Sequence, residues 1–152
     1  MNHRFIADVH LGKLARLLRM LGFDVVYDNA FTNAELISIA IEQNRILLSR
    51  NEAFGKDNSF QSFLIIDEEP DLQLTQVIKH FELKKDLAPF TRCIVCNGLL
   101  QSISKEEIKD KLLANAFQYF NEFCQCSNCG RIYWKGSHYE RMKKLVEKFL
   151  SE

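Results

Sequence analysis

Over residues 1–89, short apolar runs alternate with stretches of helical periodicity. Phe5-Ile6-Ala7 runs into Asp8; Leu11, Leu14, Leu17, Leu18 and Leu21 then recur at the three-and-four spacing of a buried helix face, and Gly22 supplies a stop. Asp24-Val25-Val26-Tyr27-Asp28 reads as a second strand. Thr32-Asn33-Ala34-Glu35 has the form of a capping box, in which the Thr hydroxyl and the Glu carboxylate satisfy each other's backbone amides. It opens a helix with Leu36, Ile37, Ala40 and Ile41 on its inner face, ended by Asn44. Arg45-Ile46-Leu47-Leu48-Ser49 is a third strand, a loop or short helix lies around Glu52–Lys56, and Phe63-Leu64-Ile65-Ile66 is a fourth strand closed by Asp67. Pro70 and Asp71 then start a helix carrying Leu74, Val77, Ile78 and Phe81. Strand and helix in alternation predict an α/β fold with a parallel sheet, and the unbroken apolar character of the strands predicts cover on both faces.

Past Pro89 the pattern changes. A strand, a cysteine pair, a helix opened by Ser104-Lys105-Glu106-Glu107 and an aromatic stretch (Phe117, Tyr119, Phe120, Phe123) come first. A second cysteine pair and a strand Ile132-Tyr133-Trp134 follow, and Ser137-His138-Tyr139-Glu140 caps a last helix with Met142, Leu145, Val146 and Phe149 facing inward. The expected organisation is an α/β domain over 1–89 and a smaller unit over 90–152, with no internal repeat.

With 152 residues, 47% of them hydrophobic, the chain can bury a core, which excludes a disordered polypeptide. Twenty basic side chains balance 20 acidic ones overall. Residues 1–89 nevertheless hold 10 basic against 13 acidic, and residues 90–152 hold 10 against 7. That basic end suits an anionic partner, and equally a solvated helix face. No apolar run reaches the ~18 residues of a membrane span and the start is not a signal peptide, so a soluble, cytoplasmic protein is expected.

All five cysteines lie in the second part: Cys93-Ile94-Val95-Cys96, and Cys124-Gln125-Cys126-Ser127-Asn128-Cys129. An odd count without a secretory signal argues against a disulfide framework. Two C-x-x-C pairs, followed by Asn97-Gly98 and by Gly130, have the form of two zinc-ribbon knuckles, because zinc takes four thiolates in a tetrahedron and each tight turn presents two. Cys93, Cys96, Cys126 and Cys129 are the expected ligands, with Cys124 spare; a redox dithiol needs one pair on a helix after a strand.

Ligands of open parallel sheets bind beyond the carboxyl ends of the strands, where Asp8, Asp28 and Asp67 are expected, with Asn51 just past the third strand. Acids converging there would hold magnesium or manganese through hard oxygens, and such an ion can activate water against a phosphodiester. Taken singly, each acid is also an ordinary turn or capping residue, Glu35 above all. Lys13, Arg16 and Arg19 recur every third residue on the polar side of the first helix, placed either for phosphates or simply for solvent.

The run from Phe5 to Asp24, with Asp8-Val9-His10-Leu11-Gly12-Lys13-Leu14-Ala15-Arg16 at its heart, resembles the signature of the Mut-seven C-terminal ribonuclease domain, a branch of the PIN-like nucleases that carries a zinc ribbon. Pro89–Gly98 and Cys126–Met142 are similar to that family's two knuckles and basic end. The resemblance implies a PIN-like parallel-sheet domain, a C-terminal zinc ribbon and a terminal helix. It also implies a metal-dependent site acting on RNA: Asp8 and Glu35 as ligands of magnesium or manganese, Asp28 and Asp67 assisting, and Lys13, Arg16 and Arg50 on phosphates. On the same resemblance, His138 and Arg141 are expected to extend the RNA surface. The chain departs from the family at Ser49-Arg50-Asn51, where the pattern is Thr-Arg-Asp. An amide there removes one carboxylate, which leaves a non-catalytic RNA-binding module as the alternative.

Overall fold

The computed structural model describes residues 3–110 and 120–151, so Phe117 and Tyr119 of the aromatic stretch lie outside the described residues. Strands β1 (Arg4–Ala7), β2 (Asp24–Val26), β3 (Ile46–Ser49) and β4 (Ser62–Leu64) form a parallel sheet in the order β2-β1-β3-β4. Ile6 stands opposite Leu47, and Leu48 opposite Phe63. Helices α1 (Gly12–Met20) and α2 (Asn33–Glu42) make the first two crossovers, the short helical turn Glu52–Lys56 carries the chain from β3 to β4, and α3 (Pro70–His80) follows β4. The central strands are buried throughout, except for Arg4, because both faces are covered. One core gathers Phe5, Leu14, Leu18, Leu48, Leu74 and Ile78; the other gathers Ile6, Leu36, Ala40, Leu47 and Phe54.

Beyond residue 89, β5 (Leu100–Ile103), β6 (Phe123–Cys126) and β7 (Ile132–Trp134) form an antiparallel sheet, with α4 (Lys105–Ile108) and α5 (Ser137–Leu150) completing the described elements. Met142, Val146 and Phe149 of α5 are buried in the same core as Phe5 and Leu14. The last helix is therefore a wall of the parallel-sheet layer.

Four local expectations change. Ile41 is 50% exposed, and Ile39 packs on the second core instead, so the inner face of α2 is narrower than its apolar content suggests. Near the first cysteine pair the strand follows the turn rather than preceding it; before the turn only a single bridge joins Arg92 to Leu99. Gly136, not Ser137, stands before α5, and no side chain caps that end. Arg19 is 4% exposed and does not share the solvent face of Lys13 and Arg16.

Arg19 has a structural task. Its Nε donates to the Val25 carbonyl at 2.9 Å, and its Nη1 to the carbonyls of Ile94 and Val95 at 3.1 and 3.2 Å. Burial pulls the guanidinium's pKa down, while the sulfurs of Cys96 and Cys93 oppose that shift. An Arg19→Met chain keeps the aliphatic packing and leaves three carbonyls unmatched. It should lose about 2–4 kcal/mol in urea unfolding of the zinc-loaded protein; a loss below about 0.5 kcal/mol, the scale of a surface change, would contradict this role.

Asp24 gathers the neighbouring cations. Arg45 Nη1 lies 2.7 Å from its Oδ1, Arg4 Nε 3.6 Å from Oδ2, and Arg92 Nη2 4.0 Å from Oδ2. Burial alone would raise this carboxyl, but hydrogen bonds from Arg45 and Asn97 and the charges of Arg45 and Arg92 outweigh it and hold its pKa below the ordinary 3.8. A lowered pKa in the fold means that the unfolded chain takes up the proton first. The stabilisation is thus complete above 3.8 and fades as pH falls through the lower folded value. Urea titrations of wild type and Asp24→Asn should show a stability gap that is constant near neutrality and closes only below that ordinary value.

Candidate active site and metal centre

Because all four strands point the same way, their carboxyl ends share one rim. Asp8 follows β1 directly; Asp28, Asn51 and Asp67 lie just past β2, β3 and β4; and Glu35 sits in the first turn of α2, which leaves the same rim. Asp8 is 7% exposed, unusually covered for a carboxylate. Ser49 explains how it is held. The Ser49 hydroxyl donates to Asp8 Oδ2 at 2.7 Å, and Ser49 Oγ in turn accepts the Asn51 amide at 2.9 Å. The Asp8 amide bonds the Leu48 carbonyl at 2.9 Å, which fixes the backbone too. Neighbouring strand ends are thus tied through one serine, and the second oxygen of Asp8 has no hydrogen-bond partner among the described residues.

The other rim residues serve local structure as well. Glu35 Oε1 accepts the Thr32 amide at 3.1 Å while Thr32 Oγ1 accepts the Glu35 amide at 3.1 Å, so the capping box is formed, and Glu35 Oε2 has no hydrogen-bond partner among the described residues. Asp28 Oδ1 accepts the Ala30 amide at 2.8 Å. Asn51 Oδ1 accepts the Ala53 amide at 3.0 Å and caps the short turn Glu52–Lys56. Asp67 is half-buried, with its carbonyl taking the Gln73 side-chain amide at 3.0 Å. Lys13, Arg16 and Arg50 are exposed, and Arg50 Nη2 leans on the Ile66 carbonyl at 3.3 Å. His138 and Arg141 are exposed near the start of α5, away from this rim in the chain's second half.

The cysteines are arranged far more tightly. The sulfurs of Cys93, Cys96, Cys126 and Cys129 all lie within 4.8 Å of one another, and among the described residues they are the only such group of three or more metal-ligating side chains. A tetrahedron of Zn–S bonds of about 2.3 Å has edges of about 3.8 Å; Cys93–Cys129 is 3.7 Å and Cys96–Cys126 is 3.3 Å. Four soft thiols at this spacing fit zinc, and with every position taken the ion is structural.

Local backbone makes the cluster possible. Asn97 (φ +74°) and Gly130 (φ +80°) take the left-handed positions of the two turns. A Cβ on Gly98 would stand 2.7 Å from Cys126 Sγ, so this glycine supplies room. Burial would raise the Cys96 thiol, but the Asn128 side chain, the Gly98 amide and the neighbouring thiols bring it down to about 6. Although the Arg131 amide lowers Cys129, burial and the other three cysteines push it up to about 12. Without metal the cluster retains protons that a divalent cation displaces. Tyr133 Oη lies 2.9 Å from Cys93 Sγ and steadies that ligand. Cys124 stands outside the cluster.

A buried acid at the strand rim, followed by a four-cysteine centre, is the arrangement that the sequence blocks suggest, and comparison with protein families decides the matter: the model of the Mut7-C RNAse domain matches residues 3–146. The chain belongs to this family. No curated protein and no solved structure matches it in parallel comparisons. Membership in the Mut7-C RNAse family gives the chain a nuclease-like role and implies RNA as its substrate. No helix among the described residues is long and apolar enough to cross a membrane.

Two residues at the strand rim of this Mut7-C chain escape sequence reading. Ser49, 2% exposed, is the pivot between Asp8 and Asn51, and its position directly before Arg50-Asn51 is the signal for it. Glu52 lines a cleft with Ser49, Asn51, Phe54 and Leu64, placing a carboxylate beside the Asn51 amide.

Proposed function

We propose that the chain hydrolyses RNA phosphodiester bonds with magnesium or manganese at the strand rim, Asp8 and Glu35 serving as metal ligands. The observation that carries this reading is the covered Asp8 carboxylate, oriented by Ser49, with its other oxygen unpartnered among the described residues. Magnesium is commonly held by one or two carboxylates together with water and substrate phosphates, which suits a rim with few free carboxylate oxygens. Such an ion would polarise the phosphodiester and lower the pKa of the attacking water. Asp8 and Glu35 would fix its place, with Asp28 and Asp67 adding negative charge and Asn51 offering a neutral oxygen. Lys13, Arg16 and Arg50 would bind phosphates flanking the scissile bond, and His138 and Arg141 would extend the path toward the ribbon. On this reading the boundary near residue 89 separates a catalytic layer from the zinc-held knuckles, and α5 packs back onto the catalytic layer.

A second reading has support of its own. Asn51 Oδ1 already caps the turn at Ala53, and a neutral amide attracts a divalent cation less than a carboxylate does. RNA binding without cleavage follows if the rim lacks sufficient charge. Labelled single-stranded and structured RNA, incubated with zinc-loaded protein and manganese, separates the two: cleavage that stops without manganese supports the hydrolase, and binding with intact RNA in every metal tested supports the binding module. Asn51→Asp should raise metal-dependent cleavage about tenfold, the scale of ~1.4 kcal/mol of added ion binding. Unchanged cleavage over a full manganese titration would show that the third carboxylate is dispensable.

A further inference from the structure

The parallel sheet has two open edges, and each is closed by side chains. At β4, Gln76 of α3, the helix that follows this strand, accepts the Ile66 amide at 3.0 Å and donates to the Leu64 carbonyl at 3.0 Å. At β2 the closing group comes from the zinc centre. Asn97, next to the ligand Cys96, accepts the Val25 amide on Oδ1 at 3.1 Å and donates from Nδ2 to Asp24 Oδ1 at 2.7 Å. Arg19 takes the Val25 carbonyl and reaches from it to Ile94 and Val95, the two residues between Cys93 and Cys96. Arg92 Nη1 closes the loop on the Asn97 carbonyl at 3.0 Å.

We infer that the first cysteine knuckle is a metal-dependent clamp on the β2 edge, so that zinc occupancy governs whether the outer strand of the parallel sheet is closed or open. Both outward groups of Val25 bond to groups whose positions the knuckle sets. An unpaired strand edge is a template for pairing with another chain, and here its cover depends on the knuckle. Asn97 adopts a left-handed conformation (φ +74°) within a turn whose ends are two zinc ligands, so the metal holds the side chain in reach of β2. Arg19, buried beneath the same turn, gains from the net negative charge that four thiolates and one zinc leave. The sulfur cluster thus acts on a strand some 70 residues earlier in the chain, as the 72-residue separation of Val25 and Asn97 shows.

The clamp does not depend on the proposed hydrolysis, and its test reads backbone protection in the full-length, zinc-loaded chain. Asn97→Gly removes the side chain while tolerating the left-handed turn. The variant should retain one zinc per chain, yet exchange the Val25 amide hydrogen about tenfold faster than wild type, with Ile6 of the central strand unchanged. Stripping zinc from wild type with a chelator should raise Val25 exchange likewise, and re-adding zinc should restore protection. Equal Val25 exchange in zinc-loaded wild type and Asn97→Gly overturns the proposal, as does a Val25 rate indifferent to zinc in wild type. Should the zinc-free chain unfold throughout, the comparison of the two zinc-loaded proteins decides alone.

Discussion

Replacing Cys96 with serine should strip the chain of stoichiometric zinc and cost the ribbon on the order of 10 kcal/mol of metal-derived stabilisation. The size follows from the site. Four sulfurs within 4.8 Å of one another form a cluster that the ion holds together. Seryl oxygen is a poor replacement for a thiolate whose pKa already sits near 6. The small antiparallel sheet has strands of only three or four residues and depends on the knuckles for its ends. Metal content by atomic emission checks the first half of this prediction. Trp134 checks the second, because it is the chain's one tryptophan and lies on β7, so its fluorescence reports the ribbon alone. Cys124→Ser is the matched control: that thiol lies outside the cluster, so the variant should keep its zinc and its Trp134 signal. Loss of zinc from both variants alike would mean that the ligand set is wrong.

Asp8→Asn should lower metal-dependent RNA cleavage by about a thousandfold or more while leaving the fold intact. The two side chains have the same shape, and an asparagine oxygen can still accept the Ser49 hydroxyl that now meets Asp8 at 2.7 Å. What disappears is the negative charge that would fix a hard cation, at a rim where Asn51 brings a neutral amide rather than a carboxylate. Electrostatic groups that act on transition-state charge are typically worth about 10²–10³ each, and a metal ligand at a site with few others stands at the upper end. Single-turnover cleavage across a manganese series measures the effect, with urea unfolding of both proteins as the check on folding. Cleavage by Asp8→Asn at the wild-type rate would remove Asp8 from the chemistry.

The sequence made some of this architecture readable and hid the rest for physical reasons. Apolar runs separated by Gly22, Asn44 and Pro70 identify four strands and three helices because a parallel sheet buried on both faces leaves few polar positions inside it. Cysteine spacing identifies the zinc ligands because the tetrahedron restricts which thiols share a turn, and Cys124 fails that spacing. Arg19 was misleading: its place in the Lys13-Arg16-Arg19 series suggests a solvent-facing phosphate contact, but its partners lie in Val25, Ile94 and Val95, and long-range pairing leaves no local trace. Ile41 continues the helical stripe, yet it faces water because α2 covers only the small second core. Ser49 sits in a strand of apolar neighbours, and nothing in periodicity tells a buried hydroxyl that orients an acid from one that ends a strand.

Paramagnetic broadening by manganese tests the central claim, that the strand rim holds a hard cation through Asp8 and Glu35. With the zinc centre loaded, backbone amide signals of Asp8, Glu35 and Ser49–Asn51 should broaden first on titration, ahead of exposed acids such as Asp57 and Glu106, and that order should vanish in Asp8→Asn. Broadening that begins at those exposed acids, or an unchanged pattern in Asp8→Asn, would contradict the account.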